Sequence, residues 1–70
     1  MLDVNKLKGK LIEKGYTVER ISLELGINSS TFYRKLKNDS FAINEADKIV
    51  SILSLTGKEA SSIFFSQFVA

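Results

Sequence analysis

The sequence predicts an all-α fold: a compact bundle of five short helices that forms a single domain over residues 1–70. Apolar residues recur at intervals of three and four along five segments, which is the spacing of one helix face. No segment alternates polar and apolar residues as a half-buried strand does. Each segment begins at a residue type that commonly caps a helix N-terminus, and these residues are Asp3, Thr17, Asn28, Asn44 and Thr56.

The first two helices have clear starts and ends in the sequence. Asp3 begins the first helix, and Ile12 widens its apolar stripe. Gly15 ends this helix because glycine readily takes the left-handed conformation. Thr17 begins the second helix, and Gly26 ends it in the same way. The cap of the next helix follows Gly26 after one residue, so we expect a tight turn.

The third helix, over residues 29–37, has two distinct faces. Phe32 and Leu36 are four residues apart, so both side chains point inward. Lys35 lies beside this inward edge, where its long stem can cover apolar surface. The opposite side carries polar and basic residues, namely Ser30, Arg34 and Lys37 within a narrow arc and Tyr33 at its flank.

The last two helices complete the predicted bundle. Phe41 and Ile43 are expected to anchor the preceding loop to the core, and the fourth helix is expected to begin at Asn44. The fifth begins at Thr56, where Thr-x-x-Glu forms a capping box, and is expected to span residues 56–69. Its second half carries more large apolar side chains than one short helix can bury unaided, which favours a partner surface. A helix that only closes the core remains an alternative. The predicted dimer or partner interface is Phe64, Phe65, Phe68 and Val69.

The composition excludes several classes of function. The chain contains neither histidine nor cysteine, so the commonest general base and the commonest zinc ligands are absent. No pair of carboxylates has a spacing that suits acid–base catalysis. We therefore expect no enzyme, no metal site and no cofactor. No apolar run approaches the roughly 20 residues of a membrane span, and the N-terminus is not of signal-peptide type, so we expect a cytoplasmic protein.

Basic residues are concentrated in the first part of the chain. Residues 1–40 hold eight basic and five acidic side chains, whereas residues 41–70 hold two and three. Within residues 17–38 the sequence predicts two short helices, a glycine-containing turn and a basic second helix, which is the helix-turn-helix pattern. A helix fits the major groove of B-DNA, where each base pair displays a distinct set of donors and acceptors. The pattern therefore favours double-stranded DNA as the partner.

The outward side of the third helix provides the candidates for base contact. Arg34 can bond guanine O6 and N7 in parallel, and Tyr33 can reach a thymine methyl with its ring or a phosphate with its hydroxyl. The predicted base contacts are Ser29, Ser30, Tyr33 and Arg34. Hydroxyls, amides and free N–H groups at helix ends and in loops suit phosphates. The predicted backbone contacts are Thr17, Lys37, Asn38, Ser40 and Asn44.

Each of these side chains also has a purely structural interpretation. Ser29 and Ser30 can act as secondary caps at a helix start. Tyr33 can pack over the edge of the second helix. Arg34 and Lys37 can be ordinary solubilising charges. The residues at the other helix starts serve first as caps, and phosphate contact is an additional role for some of them.

Three segments resemble the phage repressor and Cro family of helix-turn-helix proteins, also called the Xre family: KLKGKLIEKGYT, LELGINSSTFYRKL and EADKIVSILSL. The pieces TFYRKL and SIFF are most similar to small Cro-like proteins of phages and prophages in Gram-positive bacteria. The resemblance implies a lambda repressor-like domain that binds an operator as a homodimer in the bacterial host cell. It also places the family's base-reading positions on Ser29, Ser30 and Arg34. We therefore expect a sequence-specific regulator of a phage or prophage genetic switch.

Two positions depart from the pattern of this family. Val18 stands where many members have a glutamine that touches the DNA backbone. Ser22 stands where many have a small alanine, so its hydroxyl is expected to bond a carbonyl one turn earlier. The missing glutamine favours an alternative function, an anti-repressor or modulator that binds another phage repressor protein and binds DNA only weakly. A stand-alone Cro-type or anti-repressor component is expected, without an effector or protease domain.

Overall fold

The computed structural model describes residues 2–65, and these form five α-helices and no β-strand. The helices are α1 (Val4–Glu13), α2 (Val18–Leu25), α3 (Ser29–Asn38), α4 (Ile43–Ile52) and α5 (Gly57–Phe64). The predicted all-α bundle is confirmed. The predicted fifth helix reached residue 69, but α5 ends at Phe64, and residues 66–70 lie outside the described part of the chain.

Three of the predicted caps close their helices as expected. Asp3 Oδ1 and Thr17 Oγ1 each accept a bond of 3.1 Å from the backbone N–H three residues later. Thr56 Oγ1 does the same with the N–H of Glu59, whose carboxylate in turn accepts from the N–H of Thr56 at 2.9 Å. These bonds satisfy N–H groups that a helix start leaves without partners, so they set where α1, α2 and α5 begin.

The start of α4 was predicted wrongly. The predicted cap was Asn44, but the helix begins at Ile43 and its cap position is Ala42, two residues earlier. Alanine has no side-chain acceptor for the N–H groups of the first turn. Glu45 makes the other bond of a capping box, because its Oε1 accepts from the N–H of Ala42 at 2.8 Å. Asn44 is therefore an exposed residue of the first helical turn.

One hydrophobic core lies between the helices, where α2 packs against α3 and α4, and α1 packs against α5. Phe32 is completely buried and meets Phe41 edge to face, with ring centroids 5.2 Å apart. The Cα radius of gyration, 11.0 Å, matches the value of about 11 Å expected for one domain of this size. The buried apolar residues are Leu2, Leu7, Leu11, Ile21, Leu25, Phe32, Leu36, Ile49, Leu53, Leu55 and Ile63.

Two apolar residues that were expected to face the core are exposed. Ile12 keeps 79 % and Ile43 keeps 81 % of its surface accessible. Phe41, in contrast, packs against the core as predicted. Helical spacing places Ile12 at the edge of its stripe, but no other described element covers that edge.

Charged and polar side chains connect α1 to α5. Lys10 forms an ion pair with Glu59 and a weaker one with Glu13 at 3.2 Å, and Lys6 bonds the hydroxyl of Ser62. The hydrogen bond from Lys10, together with the N–H of Thr56, lowers the pKa of Glu59 from 4.5 to about 2. The hydrogen bond from Glu59 also raises the pKa of Lys10.

Among residues 2–65 no helix is long and apolar enough to cross a membrane.

Candidate nucleic-acid interface

The turn between α2 and α3 is short and tightly bonded. Gly26 has a φ of 77°, in the left-handed region that glycine adopts without strain. Its N–H donates to the carbonyl of Leu23 at 3.1 Å, and the N–H of Ile27 donates to the carbonyl of Ser22 at 3.0 Å. These bonds close the C-terminus of α2. As a result, α3 begins three residues after Gly26 and packs directly against α2.

Helix α3 has a buried side and an exposed side, as its spacing predicts. Phe32 is fully buried and Leu36 is 4 % exposed, so the inward residues anchor α3 to the core. Tyr33 keeps 51 % of its surface accessible. The exposed residues of α3 are Ser30, Tyr33, Arg34, Lys37 and Asn38, which we call the open face of α3.

The basic residues of α3 differ in what they contact. Lys35 Nζ lies 2.7 Å from both carboxylate oxygens of Glu45, and the two side chains are only 20 % and 16 % exposed. This bond, followed by the one from the N–H of Ala42, lowers the pKa of Glu45. Within residues 2–65, neither Arg34 nor Lys37 forms an ion pair. Lys35 therefore fastens α3 to α4, while the charges of Arg34 and Lys37 stay available to a ligand.

The start of α3 departs from the simplest expectation for a cap. Asn28 occupies the cap position, but its side chain does not accept from a backbone N–H. Its Oδ1 accepts instead from the hydroxyl of Thr31 at 2.9 Å. Ser29, a predicted base contact, is half-buried, and it lines a shallow hollow between α2 and α3 together with Leu23. Ser29 thus lies at the edge of the open face.

The predicted backbone contacts outside α3 lie on exposed surface. Thr17 is exposed at the start of α2, and its hydroxyl already accepts the capping bond from Arg20. Ser40 is exposed in the connection from α3 to α4, as is Asn44 in the first turn of α4. No hydrogen bond among the described residues joins these three side chains to the open face of α3.

Two residues of α2 show how it differs from the expected pattern. Val18 is partly buried and packs against the core, so it offers no polar group at the helix start. Ser22 is 1 % exposed, and the carbonyl bond predicted for its hydroxyl is absent. Within the described residues the Oγ atom has no hydrogen-bond partner at all.

The C-terminal aromatic residues line a separate apolar groove. Phe64 is partly buried and Phe65 is 54 % exposed, and both contribute to a groove of about 370 Å³ between α4, α5 and the connection before α4. Ile43 lines the same groove, so its exposed side chain is part of this apolar surface. The other two predicted interface residues, Phe68 and Val69, lie outside the described part of the chain.

Sequence reasoning missed two residues that the structure places beside the candidate site. Glu45 is ten positions from Lys35, a separation that no helical repeat relates, so their pairing has no local signal. Lys8 belongs to α1, yet it lines a small groove together with Tyr33 and Lys37 of α3. Its position depends on how α1 packs against α3, which spacing along the chain does not reveal.

Comparison with known proteins gives no match: no family model, no curated protein and no solved structure matches this chain. Within the described residues, no group of three or more acidic side chains could hold a metal ion. The function must therefore be inferred from the geometry and charge of the residues themselves.

Proposed function

We propose that this chain is a sequence-specific regulator of transcription that binds double-stranded DNA through the major groove with α3. The observation that carries the proposal is the open face of α3, where Arg34 and Lys37 are exposed and have no ion pair within residues 2–65, opposite the buried Phe32 and Leu36. The short, bonded turn after Gly26 supports it, because it holds α2 and α3 in a fixed relation. The resemblance to Cro-like proteins adds a phage or prophage genetic switch as the setting.

Four residues of the open face, together with Ser29 at its edge, then have defined tasks. Arg34 reads a guanine through two parallel bonds to O6 and N7, a pairing worth about 1–3 kcal/mol of discrimination. Ser30, one turn earlier, donates to or accepts from a neighbouring base edge. Ser29 contacts a base or phosphate from the edge of the face. Lys37 and Asn38, at the end of α3, meet the DNA backbone.

Residues outside α3 complete the proposed footprint on the sugar–phosphate backbone. Thr17, Ser40 and Asn44 present hydroxyl and amide groups on exposed surface. Val18 supplies no polar contact at the start of α2, so anchoring relies more heavily on Lys37 and Asn38. This difference predicts a protein whose affinity depends strongly on salt.

A homodimer is the proposed binding form. One copy offers few base contacts, whereas two recognition helices about 34 Å apart on one side of the duplex double them. The apolar groove with Phe64, Phe65 and Ile43 supports an interface at this end of the bundle, because two of these large apolar side chains are more than half exposed. Light scattering over a range of protein concentrations tests this part, and a particle that stays monomeric at high concentration contradicts it.

Selection from a pool of random DNA duplexes tests the proposed function. Wild-type protein is expected to enrich a two-fold symmetric sequence. The variant Arg34→Ala is expected to bind that sequence about ten- to hundredfold more weakly and to lose its preference at one base position in each half-site. Lys48→Ala is the matched control, because Lys48 is an exposed cation of α4 that is not part of the open face. Equal binding by wild type and Arg34→Ala at all salt concentrations contradicts base reading by α3.

The second candidate is an anti-repressor or modulator that acts by binding another repressor protein. Leu23 favours it, because this residue of α2 is 78 % exposed and lies beside the start of α3, where a polar side chain would suit DNA better. Under this function Leu23→Ser weakens binding to the repressor protein and leaves DNA binding unchanged. Under the first function, Leu23→Ser has little effect on the enriched duplex.

A further inference from the structure

A small groove beside the open face brings a lysine of α1 together with two residues of α3. The groove has a volume of about 160 Å³ and is lined by Lys8, Tyr33 and Lys37 above Val4 and Leu36. Lys8, Tyr33 and Lys37 are all exposed, whereas Leu36 is buried and Val4 partly buried. The groove therefore has an apolar floor, and its rim is formed by exposed side chains that end in two ammonium groups and a phenol.

The rim of this groove is positively charged and contains no acid. None of the five lining residues is acidic. Within residues 2–65 neither Lys8 nor Lys37 forms an ion pair, although Lys10, Lys14, Arg20 and Lys35 all do. Two cations held on one groove without a counter-ion favour an anionic ligand between them.

The position of Lys8 on α1 separates it from the lysines that hold the fold together. Val4 and Lys8 are four residues apart, so they share the side of α1 that meets α3. Lys6 and Lys10 are on another side of α1, where they line the groove toward α5 and bond Ser62 and Glu59. Lys8 therefore lies toward α3, whereas Lys6 and Lys10 lie toward α5.

We propose that Lys8, the Tyr33 hydroxyl and Lys37 form a binding site for one phosphate of the DNA backbone, which adds α1 to the interface. This proposal rests on the proposed function and assigns Tyr33 to the backbone instead of a thymine methyl. Tyr33 and Lys37 are one helical turn apart on α3, beside Arg34. A phosphate held by them therefore sets how deeply the N-terminal half of α3 enters the major groove of the DNA. The site compensates for the polar contact that Val18 does not make at the start of α2.

Salt titration of DNA binding tests this site. The probe is a fluorescein-labelled duplex enriched by the wild-type protein, together with an unselected duplex of equal length. Lys8→Gln is expected to weaken binding to both duplexes by a similar factor and to reduce the slope of log K against log salt by about 0.9 per bound chain. For a bound homodimer the slope falls by about 1.8, so the advantage of wild type over the variant shrinks about twelvefold between 50 and 200 mM salt. Tyr33→Phe, which keeps the ring, is expected to weaken binding to both duplexes without changing base preference.

Lys58→Gln is the matched control, because Lys58 lies on α5 beside the opposite groove of α1 and carries the same charge. Its salt slope is expected to equal that of wild type, and thermal melting verifies that all variants are folded. A Lys8→Gln slope equal to that of Lys58→Gln overturns the phosphate site while the proposed function stands. A wild-type protein that enriches no sequence from the random pool and does not bind the unselected duplex at low salt overturns both.

Discussion

The contact between α1 and α5 and the open face of α3 both carry basic side chains, but the two regions use them in opposite ways. Between α1 and α5, Lys10 pairs with Glu59 and Glu13, and Lys6 bonds Ser62. On the open face, Arg34 and Lys37 meet no acid within the described residues. The number of lysines and arginines therefore does not locate a binding surface. A missing ion pair does so only together with position, because Lys48 and Lys58 are also unpaired within residues 2–65 but lie outside the open face.

The same contrast exists within α3 itself. Lys35 is adjacent to Arg34 in sequence, yet its ammonium group is held by both oxygens of Glu45 and is only partly exposed. A cluster of three basic residues thus divides into one that is paired with α4 and two that form no ion pair within residues 2–65. If this division is correct, acid and substitutions that act on the paired charges change stability, whereas substitutions on the open face change binding.

The largest change is expected from acid, which acts on the paired carboxylates. Because the pKa of Glu59 is lowered to about 2 from 4.5, its ionised form is favoured in the folded state. This contribution to stability is fully present above pH 4.5 and is lost progressively as the pH falls toward 2. The lowered pKa of Glu45 adds to the loss in the same direction. The melting temperature, measured by circular dichroism, is therefore expected to fall continuously from pH 5 to pH 2.5.

Two variants identify the source of this acid dependence. Glu59→Gln removes the titrating group, and Lys10→Met removes the cation that lowers its pKa. Both are expected to melt lower than wild type at pH 7 and to lose less stability on acidification. Arg34 pairs with no carboxylate within residues 2–65, so Arg34→Ala is expected to show the full wild-type acid dependence. An unchanged acid dependence in Glu59→Gln contradicts a stabilising role for the α1–α5 charges.

The helix starts that could be predicted from sequence are those whose bonds are local. Asp3, Thr17 and Thr56 each accept from an N–H three residues away, so residue type and spacing suffice. The start of α4 could not be found in this way, because its cap position is an alanine and the acceptor is Glu45, inside the helix. The exposure of Ile12 could not be predicted from the sequence either, since it depends on which helices meet across the core.

The candidate site was predictable to a similar extent. A repeat of 3.6 residues separates Phe32 and Leu36 from Ser30 and Arg34, and the structure preserves that division. The pairing of Lys35 with Glu45 and the place of Lys8 both depend on contacts between helices. These two features separate the paired Lys35 from Lys8, which forms no ion pair within residues 2–65, and both follow from how the helices pack together.

The second prediction concerns the link between α3 and α4. Glu45→Ala removes the bonds to Lys35 Nζ and to the N–H of Ala42, and this leaves a partly buried ammonium group unpaired. The expected loss is about 1–2 kcal/mol, or roughly 7–14 °C in melting temperature. DNA affinity is expected to fall with it, because the C-terminal end of α3 loses its attachment. Thermal melting and the DNA titration measure the two effects.

An exposed ion pair provides the matched control for Glu45. Glu24 Oε2 lies 3.4 Å from Arg20 Nε, and the side chains of Glu24 and Arg20 are 36 % and 68 % exposed, respectively. Glu24→Ala is expected to change stability by no more than about 0.5 kcal/mol. Glu45→Gln keeps an oxygen that can accept from Lys35 and Ala42, so it is expected to restore part of the stability. If Glu45→Ala and Glu24→Ala melt alike, the Lys35–Glu45 pair does not hold α3 in place.

The smallest effect is expected at Ser22, a polar group that is unpaired like the open face but buried. Ser22 is 1 % exposed, and its hydroxyl has no hydrogen-bond partner among residues 2–65. Such a group lowers stability because its hydrogen bonds to water are not replaced on folding. Ser22→Ala removes this penalty and improves helix propensity, so chemical denaturation is expected to show a gain of about 0.5–1 kcal/mol. DNA affinity is expected to stay the same, because an unpaired group inside the core offers nothing to a ligand. A loss of stability would mean that the hydroxyl has a partner, and Ser22 would then belong with Lys35 and Lys10 among the polar residues that hold the helices together.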